Sequence, residues 1–234
     1  GESAEDAGAA YVYDLLHNRI FAEPVLLGEY PDLAPLGAEM PVHDGDLETI
    51  NQPIDVLGVN YYSTATVRLW DGVSEQQQND GHKGTTGGTA WPGSDRIVEF
   101  VEQPGPYTAM GWNIAPEGLE ELLVSLSEQF PTQPLMVTEN GAAFDDVVAD
   151  DGSVPDPERT DYLRRHFTAA HRALERGVDL RGYFVWSLLD NFEWGYGYAK
   201  RFGIVRVDFD SLERTVKDSG HWYRNLVRTR TVEA

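Results

Sequence analysis

The chain has 234 residues, 41% of them hydrophobic, which is enough for one large domain or two small ones, and no apolar run approaches the length of a membrane span. Its 39 acidic residues against 18 basic ones give a formal net charge of −21, a surface that repels nucleic acid and anionic membranes. The lack of any cysteine excludes disulfides and thiolate metal sites and fits a cytoplasmic, reducing setting.

No signal-peptide pattern is visible, and the opening GESAEDAG reads as the interior of a longer protein. The spacing predicts a helix over 3–21: Ser3 caps it, Glu5 and Asp6 complement the dipole of its first turn, and Val12, Leu15, Leu16 and Ile20 follow one face. The stretch FAEPVLLGEYPDLAP then leaves the helix through its prolines. In IDVLGVNYYS, Val56, Leu57 and Val59 predict a buried strand that ends in Asn60, Tyr61 and Tyr62. From Thr64 to about Trp112 no segment is periodic, and NDGHKGTTGGTAWPG is a glycine-rich insertion; a loop of this length is usually functional or disordered. It lacks the setting of a phosphate-binding glycine turn, since no strand leads closely into it and no helix follows.

APEGLEELLVSLSEQF predicts a helix opened by Pro116, with Leu119, Leu122, Leu123, Leu126 and Phe130 on one face. A strand at 135–138 follows and delivers Glu139 to its end. DPERTDYLRRHFTAAHRALERG predicts the next helix, capped by Asp156, started by Pro157 and ended by Gly177, with Leu163, Phe167, Ala170 and Leu174 facing the core. Another strand is expected near 182–188, then a hairpin of FGIVRVDF and RTVK about DSLE, then a last helix capped by Ser219 and running through Trp222 and Leu226. There is no internal repeat and no second domain is indicated.

Mostly apolar strands alternating with helices belong to a parallel sheet covered by helices. Candidate chemistry stands at the carboxyl end of each strand: Asn60 and Tyr62, then Glu139, then Trp186 and beyond. That placement points to a (β/α)8 TIM barrel, of which only three strands are found. A three-stranded slice leaves two long edges open, so the chain is expected to be the C-terminal part of a barrel. Read locally, Glu139 also fits a capping or surface carboxylate, NYY an ordinary strand end, and a strand tryptophan plain core packing. The six histidines fall on helices or in loops (His43 and His82 in loops) without metal-ligand spacing, so no metal and no cofactor is expected.

Taken together and in order, VTENGAAFDD, GVNYYS, MGWNIAPEGL and GYFVWSLLDNFEWGYGYAKRFGIVRVDF resemble the β-glucosidases of glycoside hydrolase family one over nearly the whole chain. The resemblance implies that 1–234 is part of a single glycosidase barrel. It would begin in the helix after barrel strand five and hold strands six, seven and eight, with 64–112 a long βα loop. It implies a retaining hydrolase of terminal, unphosphorylated β-D-glucosides, with Glu139 as nucleophile and Tyr62 orienting it. Asn60, the aromatic floor of Trp186, the pair Glu193 and Trp194, Phe202 near the same end of the sugar, and Trp112 at the aglycone side would bind substrate. A phosphate-binding branch of the family lacks a glutamate at the position of Glu193, so its presence implies a plain hexoside such as cellobiose, a cello-oligosaccharide or an aryl glucoside. The family's acid/base glutamate lies in an NEP motif on strand four. AEP at 22–24 follows a predicted helix instead, so Glu23 is not assigned that role, and an N-terminal half of the barrel is the implied partner. The rival expectation is a catalytically silent sugar-binding or interaction fragment.

Overall fold

The computed structural model describes residues 3–74, 93, 94 and 96–232. The expected insertion at 79–93 lies, except for Gly93, outside the described residues, as does His82. In chain order the elements are α1 (Ala4–Asp14), a π-helical turn (Leu15–Arg19), α2 (Ile20–Leu26), α3 (Asp46–Ile50), β1 (Leu57–Asn60), β2 (Thr66–Leu69), β3 (Val98–Val101), α4 (Pro116–Gln129), β4 (Leu135–Asn140), α5 (Pro157–Glu175), β5 (Leu180–Val185), β6 (Val205–Val207), β7 (Arg214–Val216) and α6 (Asp218–Thr229). Among the described residues no helix is long and apolar enough to cross a membrane. The chain divides into two compact units, one of Gly1–Ile54 with Ala65–Gln103 and the other of Asp55–Thr64 with Pro104–Ala234.

In the first unit, Ser3 caps α1 as expected, its hydroxyl accepting the Asp6 N–H at 3.0 Å. The Asp6 carboxylate in turn accepts the Leu69 N–H at 2.9 Å and pins the helix to the β2 strand. The sequence predicted one helix to residue 21 and an exit through proline. Instead the helix passes through a π turn and continues to Leu26 with Pro24 inside it. The proline ring falls just after a turn where the regular i to i−4 ladder is already interrupted, which relieves the clash that would otherwise end the helix. Glu23 therefore lies within α2, buried and ion-paired with Arg19, rather than after a helix. The region expected to lack periodic structure contains an antiparallel hairpin, β2 with β3, whose Val67 and Val98 pack on Ala9 of α1. Neither strand exceeds four residues, too short for a periodic signal.

In the second unit, β1, β4 and β5 form a parallel sheet in the order β1-β4-β5. Both flanking strands pair with β4, so among the described residues β1 and β5 are hydrogen-bonded as ladders on one side only. Alternation sends Val59, Leu135 and Val137 toward the helices, where Leu119 and Leu123 of α4 and Ala170 and Ala173 of α5 complete one core. A second core joins Leu163 and Tyr162 of α5 to Ala142, Ile204 and Trp222 of α6. Pro157 opens α5, and Gly177 stands just beyond its end with φ +93, a left-handed turn that favours glycine. Leu174, expected in the core, is 46% exposed because it lies at the last turn. β4 runs two residues beyond the expected 138, and β5 spans Leu180–Val185 rather than 182–188. The hairpin of β6 and β7 forms as expected. The last helix is preceded by Lys217, not Ser219, because the Ser219 N–H and hydroxyl are both engaged by the Asp156 carboxylate, at 2.8 and 2.5 Å.

Candidate active site

Glu139 stands next to last in β4, the central strand, where both neighbouring strands fix its backbone; its carbonyl accepts the Tyr61 N–H at 2.9 Å. The side chain is half-buried, and Tyr62 Oη donates to Glu139 Oε2 at 2.7 Å. Burial first, then that hydrogen bond and the charges of Glu139 and Glu193, push the Tyr62 phenol far above its usual range. It is consequently a permanent donor to the carboxylate. The Tyr62 ring is held edge-on by Trp112 at 5.4 Å and by Phe202 at 6.2 Å.

Asn140, beside the nucleophile candidate, is fully buried and was not singled out from sequence. Its amide donates to the Tyr61 carbonyl at 2.8 Å and to Tyr162 Oη at 3.0 Å, and its oxygen accepts from Tyr183 Oη at 2.5 Å. One amide thus joins the end of β1, helix α5 and strand β5 behind Glu139. Gly141 follows because a Cβ there would lie 1.7 Å from the Trp186 carbonyl oxygen. The neighbouring-strand contact leaves room for no other residue.

On the sheet's open face Thr138 Oγ1 donates to Asn60 Oδ1 at 2.7 Å, leaving the exposed Asn60 oriented at the end of β1. Trp186, immediately after β5, packs with Tyr62, Trp112 and Tyr196 against a small core of Met110, Ala143 and Phe202. Phe202 is only 2% exposed, so it backs this aromatic wall rather than presenting a free surface. The segment bearing Trp112 is tied down by the Ala109 N–H, which donates to the Ala143 carbonyl at 2.9 Å, and by Lys200 Nζ, which donates to the Ala109 carbonyl at 2.6 Å.

Glu193 and Trp194 sit in the excursion that follows β5. Glu193 is 6% exposed and is close enough to Tyr62 for its charge to act on the phenol. Trp194 is 76% exposed, and its φ of +38 lies in the left-handed region. The excursion closes on itself: the Ser187 N–H reaches the Phe202 carbonyl at 3.2 Å and the Ile204 N–H reaches the Ser187 carbonyl at 2.9 Å.

Beneath this end of the sheet lies a buried array of charges that periodicity could not reveal. Arg159 donates to Asp146 at 2.9 Å and to Asp156; Lys217 donates to Asp190 at 3.0 Å and to Asp146; Arg201 donates to Asp190 at 2.8 Å. Desolvation, with the nearby Arg159 charge, pulls the Lys217 ammonium below its usual range, opposed by Asp146 and Asp190. Three cations meet three carboxylates, so the array is formally balanced. Among the described residues no group of three or more histidines or carboxylates is placed to hold a metal ion.

At the carboxyl end of the central strand of an α/β unit, a carboxylate is thus gripped by a phenol that packs with two tryptophans and lies near a second glutamate. The family model described as Glycosyl hydrolase family 1 matches residues 1–232. A bifunctional β-D-glucosidase/β-D-fucosidase of Bifidobacterium breve is 48% identical over 95% of this chain and 48% of its own length. The solved family 1 β-glucosidase of Thermotoga maritima superposes with a TM-score of 0.83 at 42% identity, over 100% of this chain and 49% of that one. The same Thermotoga protein has been solved with deoxynojirimycin. A psychrophilic β-glucosidase of Micrococcus antarcticus gives a TM-score of 0.85 at 42% identity, over 97% of this chain and 50% of that one. The chain belongs to glycosyl hydrolase family 1. It spans about half the length of the relatives it matches, whose fold is the TIM barrel.

Proposed function

We propose that the chain is the nucleophile-bearing and glycone-binding portion of a retaining β-glucosidase, holding strands six to eight of a single barrel domain, with 64–112 as a long loop between strand six and its helix. The observation that carries this reading is the 2.7 Å hydrogen bond from Tyr62 to Glu139 at the end of the central strand. Retaining hydrolases place two carboxyl groups about 5–5.5 Å apart across the scissile bond. Glu139 would attack the anomeric carbon and form a glycosyl ester, while the leaving oxygen takes a proton from an acid/base glutamate on the N-terminal half of the barrel. Water, deprotonated by that second group, would then attack the same carbon and release Glu139 as a carboxylate. Tyr62 keeps its proton throughout and steadies the charge on Glu139. Asn60, Trp186, Glu193 and Trp194 would hold the sugar, with Phe202 behind them and Trp112 toward the aglycone.

Glu193 supports a plain rather than a phosphorylated hexoside. An ionised acceptor strengthens hydrogen bonds from distal hydroxyls and repels a phosphate placed there. The substrates would be terminal β-D-glucosides, cellobiose and short cello-oligosaccharides or aryl glucosides. The one-sided pairing of β1 and β5 favours a second reading for the isolated chain: a silent sugar-binding fragment that needs strands one to five before it turns over.

Two measurements test both readings. The chain is assayed with an aryl glucoside alone and after mixing with a polypeptide supplying strands one to five, and the active assembly is trapped with a 2-fluoroglucoside and its peptides are weighed. Activity only in the mixture and a label on Glu139 are expected. A label on any other residue refutes the nucleophile assignment, and full activity of the chain alone refutes the half-site.

A further inference from the structure

The buried charge array lies where two loops meet. Asp146 and Asp156 belong to the loop that leaves β4 just after Glu139. Asp190 and Arg201 belong to the excursion after β5, and Lys217 leads into α6. Asp190 is the root of that excursion: Oδ1 accepts the Gly203 N–H at 3.0 Å, and Oδ2 accepts Arg201 at 2.8 Å and the Val207 N–H at 3.3 Å. Both ends of the segment from Asp190 to Gly203 are therefore pinned at one carboxylate, and Glu193 and Trp194 are carried between them. Gly203 has no freedom to change, since a Cβ there would lie 2.2 Å from the Asp190 nitrogen.

Lys217 connects this root to the other loop. Its side chain is fully buried and donates to Asp190 Oδ1 and Asp146 Oδ2, whose side chains are at most 1% exposed. Arg159 adds a parallel tie, donating to Asp146 and, at 2.8 Å, to the Arg201 carbonyl. A buried ion array of this kind adds little net stability over an apolar replacement of equal volume, because desolvating each charge offsets most of the attraction. What it supplies is a defined distance between the elements it joins. Here those elements carry the nucleophile on one side and the distal-hydroxyl acceptor on the other.

We propose that Lys217 is a positioning residue for glycone recognition: clamped between Asp146 and Asp190, it sets the place of Glu193 relative to Glu139. The inference rests on the functional reading above and extends it to a residue that touches no substrate. It requires that loosening the clamp affect the group meeting the distal hydroxyls more than the reaction at the anomeric carbon.

The test uses the assembled barrel with Lys217→Met/Asp146→Asn, which removes one charge of each sign and leaves Arg159 with Asp156 and Arg201 with Asp190. Two readouts are taken. Hydrogen exchange of the amides of 191–199 should accelerate by at least about tenfold while those of 135–140 keep their protection. The ratio of kcat/KM for an aryl β-glucoside to that for an aryl β-xyloside, which lacks the 6-hydroxymethyl group, should fall by about tenfold or more, chiefly through the glucoside KM. Unchanged exchange in 191–199 overturns the clamp. Faster exchange with the ratio kept within about twofold, or an equal loss for both glycosides, overturns the assignment to recognition, since a purely structural role would lower both together. If the parent assembly hydrolyses neither glycoside, the functional reading fails and this inference falls with it; an active parent with an unaltered variant sinks the inference alone.

Discussion

Replacing Tyr62 by phenylalanine isolates one interaction. The ring should stay where it is, because Trp112 and Phe202 hold it edge-on at 5.4 and 6.2 Å. Only the hydroxyl that donates to Glu139 at 2.7 Å is lost. A hydrogen bond to a charged group is worth about 1.5–3 kcal/mol, and each 1.36 kcal/mol of barrier is about tenfold in rate. The two chemical steps should not share this loss equally. In the proposed mechanism Glu139 gives up charge during attack, so the bond would weaken toward the transition state and its absence would be felt mainly as lost orientation. During hydrolysis of the ester, Glu139 regains its charge as it departs, so the bond strengthens toward the transition state and its absence is felt as lost stabilisation. Hydrolysis of the intermediate should therefore slow by roughly 10–100-fold and the first step by less. The intermediate should accumulate, giving a burst of aryl leaving group before steady state in rapid-mixing measurements on the assembled barrel. Rates for both steps within about twofold of the parent would refute the role given to the phenol.

Glu193→Ala should cost about 2–4 kcal/mol in kcat/KM for plain glucosides and narrow the discrimination against 6-phosphorylated ones, which paired steady-state assays would read; an unmoved ratio refutes the contact to distal hydroxyls. His166 is 0% exposed, and burial lowers its imidazole to about 4 from 6.5. The unfolded chain thus takes up the proton first as pH falls, and stability should drop by roughly 3 kcal/mol between about pH 6.5 and pH 4. Urea unfolding across that window should show the slope, and His166→Phe, which keeps the stack on Tyr162, should flatten it. Gly141→Ala should destabilise by about 3 kcal/mol or more, because its methyl group would meet backbone rather than a movable side chain; a melting temperature equal to the parent would show that the two loops separate easily.

Helices α4 and α5 were legible because long runs of leucine and alanine at helical spacing report the face they bury, and proline at the first turn reports the start. β4 was legible as an apolar run ended by polar residues, which is also why Glu139 stood out. Lys217 and Asp146 were not, since a buried charge leaves no mark in a hydrophobicity pattern: its burial depends on a partner 71 residues away. Asn140 escaped for the same reason, its three partners coming from the residue just after β1, from α5 and from β5. The β2–β3 hairpin pairs Leu69 with Val98 across a separation no local window spans. What the residues alone supplied was the position of polar groups along the chain. Which of them meet is set by the sheet order.

That order bears on how a chain spanning about half of its barrel relatives could carry a well-placed nucleophile, as proposed for Glu139. β4 is the central strand, hydrogen-bonded on both edges, and Glu139 inherits its position from two ladders plus the Tyr62 contact. Asn60 and Trp186 stand at the ends of flanking strands that, among the described residues, form a ladder on one side only, so their backbone is the part that a further pair of strands would steady. Glu193 lies beyond the sheet altogether and depends on the charge array for its place. On the proposed function the site is thus graded: Glu139, which would form the covalent bond, is the most rigidly mounted, and the residues that would recognise the sugar depend on a closed barrel or on buried ion pairs. A carboxylate that attacks carbon tolerates little displacement, because reacting atoms must approach to about 3–3.5 Å in line. Hydroxyl contacts tolerate more, since each is one of several and can shift or exchange with water. On these grounds closing the barrel should change sugar affinity through Asn60 and Trp186 more than it changes the aim of Glu139.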